Sequence, residues 1–309
     1  MPPQKKVGND DPANRQLSNG QSPIVWFLRL WQVGRRPILI LGHGRSGTTW
    51  VGNVFATGRR VLYTFEPGSP TANQPFDQWF AYARPGQPAP TLAQIFDPVF
   101  QGLPGRRPWR RSLLHRLLPG YQPVIKEVAG LMAAEWLAEH YRPTLLLVIR
   151  HPCPTILSEL EQGTNPARSK ATLLAQNQLF EDHLQPYRPV IEAAATPHEI
   201  LAAIWAARYR VIANALPRHP AWKIVQYETL CQEPVATFRQ LFSHVGLPWS
   251  DRNANFIWQS STTTSPGLYS GKRVSRHQLD KWKKQLTPPE TAAIYRTIEP
   301  FNLPFYTYD

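Results

Sequence analysis

The stretch Pro37-Ile-Leu-Ile-Leu-Gly-His-Gly-Arg-Ser-Gly-Thr-Thr-Trp50 leaves this chain few folds to choose from. An apolar run enters three glycines, then hydroxyls, then Trp50-Val-Gly-Asn-Val-Phe55, which repeats with a helical period. That order predicts a short buried strand, a Gly-rich turn and a helix N-terminus. Such a turn aims backbone N–H groups and the positive end of a helix dipole at one point. Gly42, Gly44 and Gly47 allow positive φ and close approach of an anion, while Ser46, Thr48 and Thr49 add hydroxyl donors. Arg45 adds a fixed charge. The stretch reads as a phosphate cradle.

The nucleoside triphosphate loop is G-x-x-x-x-G-K-[ST], whose lysine reaches the outer phosphates and whose hydroxyl holds magnesium. Gly42 and Gly47 have that spacing, but Thr48 stands in the lysine position and the cation sits inside the loop at Arg45. A loop of this kind grips phosphate without the part that handles a magnesium triphosphate, which argues against a kinase or ATPase.

Here the chain resembles a known family. Arg45-Ser-Gly-Thr-Thr-Trp50 looks like the 5′-phosphosulfate loop of sulfotransferases, [KR]-S-G-[TS]-[TS]-[WF]. Those enzymes take sulfate from 3′-phosphoadenosine 5′-phosphosulfate (PAPS) and release the desulfated nucleotide, PAP. The resemblance runs from about Ile38 to Leu286 and is strongest at three separated motifs.

The rest of the chain predicts an α/β, P-loop-like three-layer fold, with a central, mainly parallel sheet flanked by helices. Strands are expected at Ile38–Leu41, Val61–Phe65, Pro123–Lys126, Thr144–Ile149 and Trp222–Tyr227. The apolar run Thr144–Ile149 suits a strand buried on both faces. Helices are expected over Leu131–His140, Lys170–His183 and Thr196–Ala215, the last opened by the capping box Thr196-Pro-His-Glu199. Another should run after the fifth strand through Val245 to a stop at Gly246. Thr287-Pro-Pro-Glu290 caps a final helix, and Trp249–Leu268 reads as irregular. Residues 1–22 are polar and expected to be disordered, and 23–309 to form one sulfotransferase-like domain with a Pro- and aromatic-rich lid insertion at about 67–120.

Ligands of such sheets sit beyond the C-terminal strand ends. Gly42, Glu66, Lys126, Arg150 and Tyr227 each stand at or just past one, so an anion loop, two cations, a carboxylate and a phenol should meet at one edge. Arg150 and Ser158, in I-R-H-P-x-x-x-x-x-S, resemble the family's 3′-phosphate site. Physically, Arg150 can grip a phosphate through two parallel N–H bonds, with Ser158 adding one more. Tyr227 in Q-Y-E-T-L resembles the Y-E-D-L that lies against the adenine, and Trp50 matches a ring that stacks on that base. Gly271-Lys-Arg-Val-Ser275, followed by Leu279-Asp-Lys-Trp282 and Leu286, is similar to the family's closing loop and W-x-x-x-L helix; the resemblance implies that Lys272 and Arg273 close over the 3′-phosphate.

For catalysis, Phe65-Glu66-Pro67 resembles the F-E-P of carbohydrate sulfotransferases, where the glutamate acts as base. Lys126 matches a lysine close to the transferred group, with Arg45 beside it. The chain departs from the phenol and steroid branch, which carries a histidine two residues after that lysine: Glu127 and Val128 follow Lys126 here. Glu127 is thus a rival base, and His43, inside the loop, reads as a phosphate-side donor or spacer and a further candidate. The resemblance implies PAPS as co-substrate, no metal, and an acceptor hydroxyl on a sugar or glycolipid. Alternatives are a P-loop kinase with an altered loop and a non-catalytic anion-binding scaffold.

The 309 residues carry a net charge of +13, which fits anionic partners. A nucleotide co-substrate and a carbohydrate acceptor are expected, and nucleic acid is not. Two cysteines, Cys153 and Cys231, make neither a disulfide framework nor a zinc site and suit a reducing, cytoplasmic compartment. Ile24-Val-Trp-Phe-Leu-Arg-Leu-Trp-Gln-Val33 is too short to span a membrane and carries Arg29. It reads either as a helix packed on the core or as one lying on anionic lipid, with Arg29, Arg35 and Arg36 at headgroup level.

Overall fold

Period-two alternation decides which way the sheet residues face. The computed structural model describes residues 36–69, 82–100, 121–262 and 277–307. Within them lie five strands: β1 Ile38–Gly42, β2 Val61–Phe65, β3 Gln122–Glu127, β4 Thr144–Ile149 and β5 Lys223–Gln226. They form one sheet of order β2-β3-β1-β4-β5. All four pairings are parallel. β1 lies in the middle and is buried throughout. Ile38 and Ile40 face one core with Val124, Leu146, Val148 and Val225. Leu39 and Leu41 face the other with Ile125, Leu145, Leu147 and Ile149. Burial on both faces is why β1 and β4 are almost continuously apolar.

Six helices matter for the site: α1 Thr48–Ala56, α2 Pro152–Glu161, α3 Pro197–Ala215, α4 Pro234–His244, α5 Asp251–Thr262 and α6 Pro288–Ile298. On the Ile38 face, Trp50, Val51, Val54 and Phe55 of α1 pack with Phe238 and Phe242 of α4. The two phenyl rings of Phe55 and Phe242 stack at 4.8 Å. On the Leu39 face, α3 brings Leu201, Trp205 and Ile212, and α2 brings Cys153 and Ile156. Both expected capping boxes form, at Thr196–Glu199 and at Thr287–Glu290.

Two expectations need correction. The helix read over Lys170–His183 is broken: it runs Pro166–Leu174, then Asn177–Leu179, then a wide turn at Phe180–Leu184. Leu173, Leu179, Phe180 and Leu184 are all fully buried, and the break with its widened turn brings all four onto one core. The segment read as irregular holds α5. Its start is fixed by Asn253 Oδ1, which accepts from the Ser250 backbone N–H and hydroxyl at 2.8 Å each. α5 buries Asn253 and Ser260 beside Ile257, so its inner face is half polar and shows no apolar stripe.

Within the expected insertion at 67–120, Pro90–Phe100 is a helix whose Leu92, Phe96, Val99 and Phe100 are buried. Residues 1–22 and most of the rest of that insertion lie outside the described residues. Among the described residues no helix is long and apolar enough to cross a membrane.

The cap of α3 gives the first prediction. Thr196 Oγ1 accepts from the Glu199 N–H at 3.2 Å, and the Glu199 carboxylate accepts from the Thr196 N–H at 2.9 Å. Thr196→Ala should cost about 1 kcal/mol in urea unfolding, while Thr196→Ser should stay within about 0.5 kcal/mol of the parent. Equal losses in the two would show that the hydroxyl does not cap.

Candidate active site

The parallel sheet sends every strand's C-terminal end to one edge, and the site is built there. β1 runs into residues 43–47 and then α1. Ser46 Oγ donates to the His43 carbonyl at 2.6 Å and the Ser46 N–H to the same carbonyl at 3.2 Å, which curls the loop. Two glycines are needed for steric reasons. A Cβ on Gly42 would come within 2.5 Å of the Val148 carbonyl. Gly47 has φ +90°, and its missing Cβ leaves room for the Tyr227 ring, whose Cδ2 would lie 2.3 Å away. Arg45 also holds a left-handed conformation, φ 66°, as does Glu66, φ 42°. Side chains with a Cβ adopt this region at a cost of order 1 kcal/mol.

Arg150, just past β4, ties the parts together. Its Nη1 donates to the Arg45 carbonyl at 3.0 Å, and its guanidinium lies 4.6 Å from the centre of the Tyr227 ring. Arg45 Nε in turn donates to Ser158 Oγ on α2 at 2.9 Å. The phosphate loop, Arg150 and Ser158 therefore form one cluster. The Nε of Arg150 is buried and has no hydrogen-bond partner among the described residues. A buried, unmatched guanidinium N–H costs free energy unless an acceptor arrives, and that suits an anion.

The cluster opens into a cavity lined by Arg150, Pro154, Leu157, Ser158, Lys281 and Trp282, among others. Trp282 stacks on His151 at 5.2 Å between ring centres, so the W-x-x-x-L segment sits against the Arg150 corner. Lys272 and Arg273, expected to close the site, lie outside the described residues. Burial, with Arg150 and Lys283 nearby, pushes the His151 imidazole down to about 4, so it is neutral at pH 7. Its backbone N–H donates to Glu228 Oε1 at 3.0 Å, and Glu228 Oε2 accepts from the Tyr306 hydroxyl at 2.7 Å. His151 and Glu228 position the corner. Both were visible as letters in R-H-P and Y-E-T, but no spacing rule marks a backbone acceptor.

Tyr227 is 8% exposed and Trp50 5%. Trp50 donates from Nε1 to Ser260 Oγ at 2.9 Å and meets Tyr227 and Phe238 edge-on at 6.2 and 5.2 Å. Its ring is thus a core ring that backs Tyr227.

At the other end of the edge, Lys126 Nζ pairs with Glu66 Oε1, and the Glu66 N–H donates to the Lys126 carbonyl at 2.7 Å. The side chains are 2% and 9% exposed. Burial lowers the Lys126 ammonium below the ordinary lysine range against the pull of Glu66. Glu127, next in the chain, points elsewhere. It is fully buried and accepts from the N–H groups of Gly68, Val128 and Ala129 at 2.6–2.7 Å. Burial raises its carboxyl, opposed by those three donors. Glu127 pins the turn that carries Glu66.

Beneath the loop lies a buried polar layer that the motifs did not predict. His43 is fully buried, its Nδ1 2.9 Å from the Gly44 carbonyl and 3.7 Å from Glu159 Oε1. Burial, with Arg208, holds its imidazole far below the usual range, so it is neutral. Burial also lifts Glu159 to about 7, opposed by Arg208 and Arg45. The Tyr209 hydroxyl donates to the Val148 carbonyl at 3.2 Å and accepts from the His43 N–H at 3.3 Å. Among the described residues no group of His, Cys, Asp and Glu is placed to hold a metal ion.

Fold and site together define a parallel α/β chain with a Gly-rich, arginine-bearing loop at the C-terminal edge of its sheet. No family model matches it. It is 27% identical over 115 residues to carbohydrate sulfotransferase 3 of Mus musculus; the match covers 35% of this chain and 21% of that relative. The chain therefore matches only about a fifth of the length of that curated relative. Among solved structures it is similar to the sulfotransferase domain from the curacin biosynthetic pathway (16% identity, 87% of this chain and 99% of that one, TM-score 0.49). It is also similar to a mouse sulfotransferase complexed with PAP (9% identity, 90% and 88%, TM-score 0.47). The sheet order and site geometry are independent of these two likenesses.

Glu127 supplies the second prediction. Glu127→Gln puts an amide N–H₂ against backbone donors and leaves at least one of them unmatched, at about 1–3 kcal/mol. The melting midpoint should fall while the far-UV circular dichroism of the folded protein stays that of the parent. An unchanged midpoint would show that the three backbone donors do not hold the carboxylate.

Proposed function

We propose that this chain is a sulfotransferase that moves the sulfuryl group of PAPS to an acceptor hydroxyl on a carbohydrate or glycolipid. The observation that carries the reading is the cluster of Arg45, Arg150 and Ser158, in which a buried guanidinium N–H of Arg150 has no partner. The co-substrate supplies an activated sulfuryl group and leaves as PAP. In this chain, residues 44–49 hold the 5′ end through loop N–H groups, hydroxyls and the Arg45 charge. Arg150 and Ser158 hold the 3′-phosphate, with Lys272 and Arg273 assigned to the same group from the sequence resemblance. Tyr227, backed by Trp50, is the aromatic surface offered to the adenine.

Glu66 is assigned as general base. It takes the proton of the acceptor hydroxyl as the oxygen bonds to sulfur and the bond from sulfur to the leaving phosphate oxygen breaks. Lys126 balances charge on both sides of that step: beside Glu66 at the start, and toward the departing phosphate, with Arg45, at the end. Glu127 is held by three backbone donors, which favours Glu66 for the role. The carbohydrate acceptor follows the Phe65-Glu66-Pro67 resemblance and agrees with the name of the mouse relative. The free, buried thiols of Cys153 and Cys231 suit a cytoplasmic setting.

Calorimetry with PAP and labelled-sulfate transfer test the assignment together. Arg45→Ala and Arg150→Ala should each raise the Kd for PAP at least about tenfold, the cost of one charge-assisted contact. Unchanged affinity in either removes that residue from the site. Tight binding of magnesium ATP, with none of PAP, would favour the altered-loop kinase.

Glu66→Gln should bind PAP within about threefold of the parent while kcat falls by roughly 10²–10⁴. Normal turnover in that variant takes the base away from Glu66, and PAP binding with no transfer to any acceptor in the parent would leave a scaffold.

A further inference from the structure

A parallel sheet has two ends, and the one opposite the site is also cationic. Arg36 precedes β1, Arg59 and Arg60 precede β2, Arg142 precedes β4, and Lys223 opens β5. All five are exposed. None is ion-paired to a described residue. Hydrogen bonds join the row in sheet order. The Arg60 carbonyl accepts from the Gln122 N–H of β3 at 2.8 Å, and Gln122 Nε2 donates to the Arg36 carbonyl at 2.6 Å. Arg36 Nε then donates to the Arg142 carbonyl at 2.6 Å. With strands about 4.8 Å apart, the row crosses the sheet in about 20 Å. Two described acids on the elements around Arg142 are already engaged: Asp97 accepts from the Tyr141 hydroxyl and faces His140, and Glu139 accepts from the Gly86 N–H.

Two of these arginines sit where arginine is a poor conformational choice. Arg60 has φ 59° and Arg142 φ 49°. Arg142 ends the helix Ala134–Tyr141 in the left-handed conformation that glycine or asparagine adopts with less strain. These charges therefore sit at positions that local backbone geometry alone does not favour.

We propose that this edge docks on an anionic lipid surface. The charge row is solvent-exposed and spread across the sheet edge, which suits an extended array of headgroups more than one small anion. Lipid is favoured over other polyanions by the chain that leads into Arg36. Ile24–Val33 carries Trp26, Phe27, Leu28, Leu30 and Trp31 with Arg29, and Arg35 follows. Aromatic and aliphatic residues mixed with arginine are the composition of a membrane-interface segment, whereas duplex nucleic acid is held mainly through its phosphates and leaves aliphatic side chains such as Leu28 and Leu30 uncovered. The proposal is independent of the sulfotransferase assignment, and its test leaves that assignment untouched.

The test is vesicle co-sedimentation of the full chain at about 0.1 M salt, with phosphatidylcholine vesicles and with vesicles containing about 30% phosphatidylserine. Anionic vesicles should bind at least about tenfold more tightly. Arg60→Asn with Arg142→Asn should lose about tenfold or more on anionic vesicles, because asparagine keeps the left-handed backbone while removing two charges. Lys283→Gln with Lys284→Gln removes the same charge near Trp282, at the opposite edge, and should lose less than about threefold. Arg60→Lys with Arg142→Lys should retain binding. Equal losses in the two neutralised variants, no preference for anionic vesicles, or loss in the lysine variant would overturn the proposal. Duplex DNA binding that falls in the asparagine variant while vesicle binding does not would overturn it in favour of a nucleic-acid surface. PAP affinity, measured alongside, should be unchanged in the asparagine variant.

Discussion

The bond from Arg150 to the Arg45 carbonyl is the contact on which the rest of the site depends. It joins the end of β4 to a loop that leaves β1, and those strands are neighbours in a parallel sheet. A loop holding a non-glycine residue at positive φ persists only when its surroundings over-determine it. Here they do so from several sides. Ser46 closes the turn from within, Tyr227 fills the space left by Gly47, Tyr209 grips the His43 N–H, and Arg150 holds Arg45 from outside. Preorganised donors of this kind need little rearrangement when an anion arrives.

Charge in the buried layers follows a consistent logic. A fully buried ion is tolerated only when paired, and otherwise neutralises. Lys126 and Glu66 are paired, Glu127 is satisfied by three N–H groups, and His43 is neutral. Glu159 is the unsettled member. Its carboxyl is lifted to about 7 by burial, against Arg208 and Arg45. An acid whose folded pKa lies above its unfolded value favours the protonated native state. Its contribution is therefore full below about 4.5 and is lost as pH rises through about 7. A dianionic ligand near Arg45 would push the same way, by adding negative charge beside the carboxylate.

Sequence reading reached the strands because burial on both faces leaves a plain apolar run, as in Thr144–Ile149. It reached the rim because strand ends in a parallel sheet must share an edge, so Gly42, Glu66, Lys126, Arg150 and Tyr227 could be placed together before any contact was known. It failed where the signal is carried by polar burial. α5 hides Asn253 and Ser260 in its inner face, so periodicity had nothing to count. Glu127 and Glu66 are both glutamates near one strand end, and only three backbone donors, set by the turn at Gly68, separate their roles. The contact of Arg45 with Ser158 spans 113 residues and has no local trace.

The two ends of the sheet carry like charge but different physics. At the C-terminal end, cations sit among curled backbone N–H groups and part-buried rings, where water is scarce and Coulomb interactions are little screened. In such a place an anion's fit depends on direction as well as charge, because each donor points one way. At the N-terminal end the arginines stand in water, and their attraction fades over about a Debye length of 8–10 Å. Geometry there matters less than count and spread, which the sheet supplies through its strand spacing. Added salt should therefore weaken the open row more steeply than the enclosed cluster. One architectural fact, that every strand runs the same way, thus gathers a curled, part-buried loop at one edge and an exposed row of cations at the other.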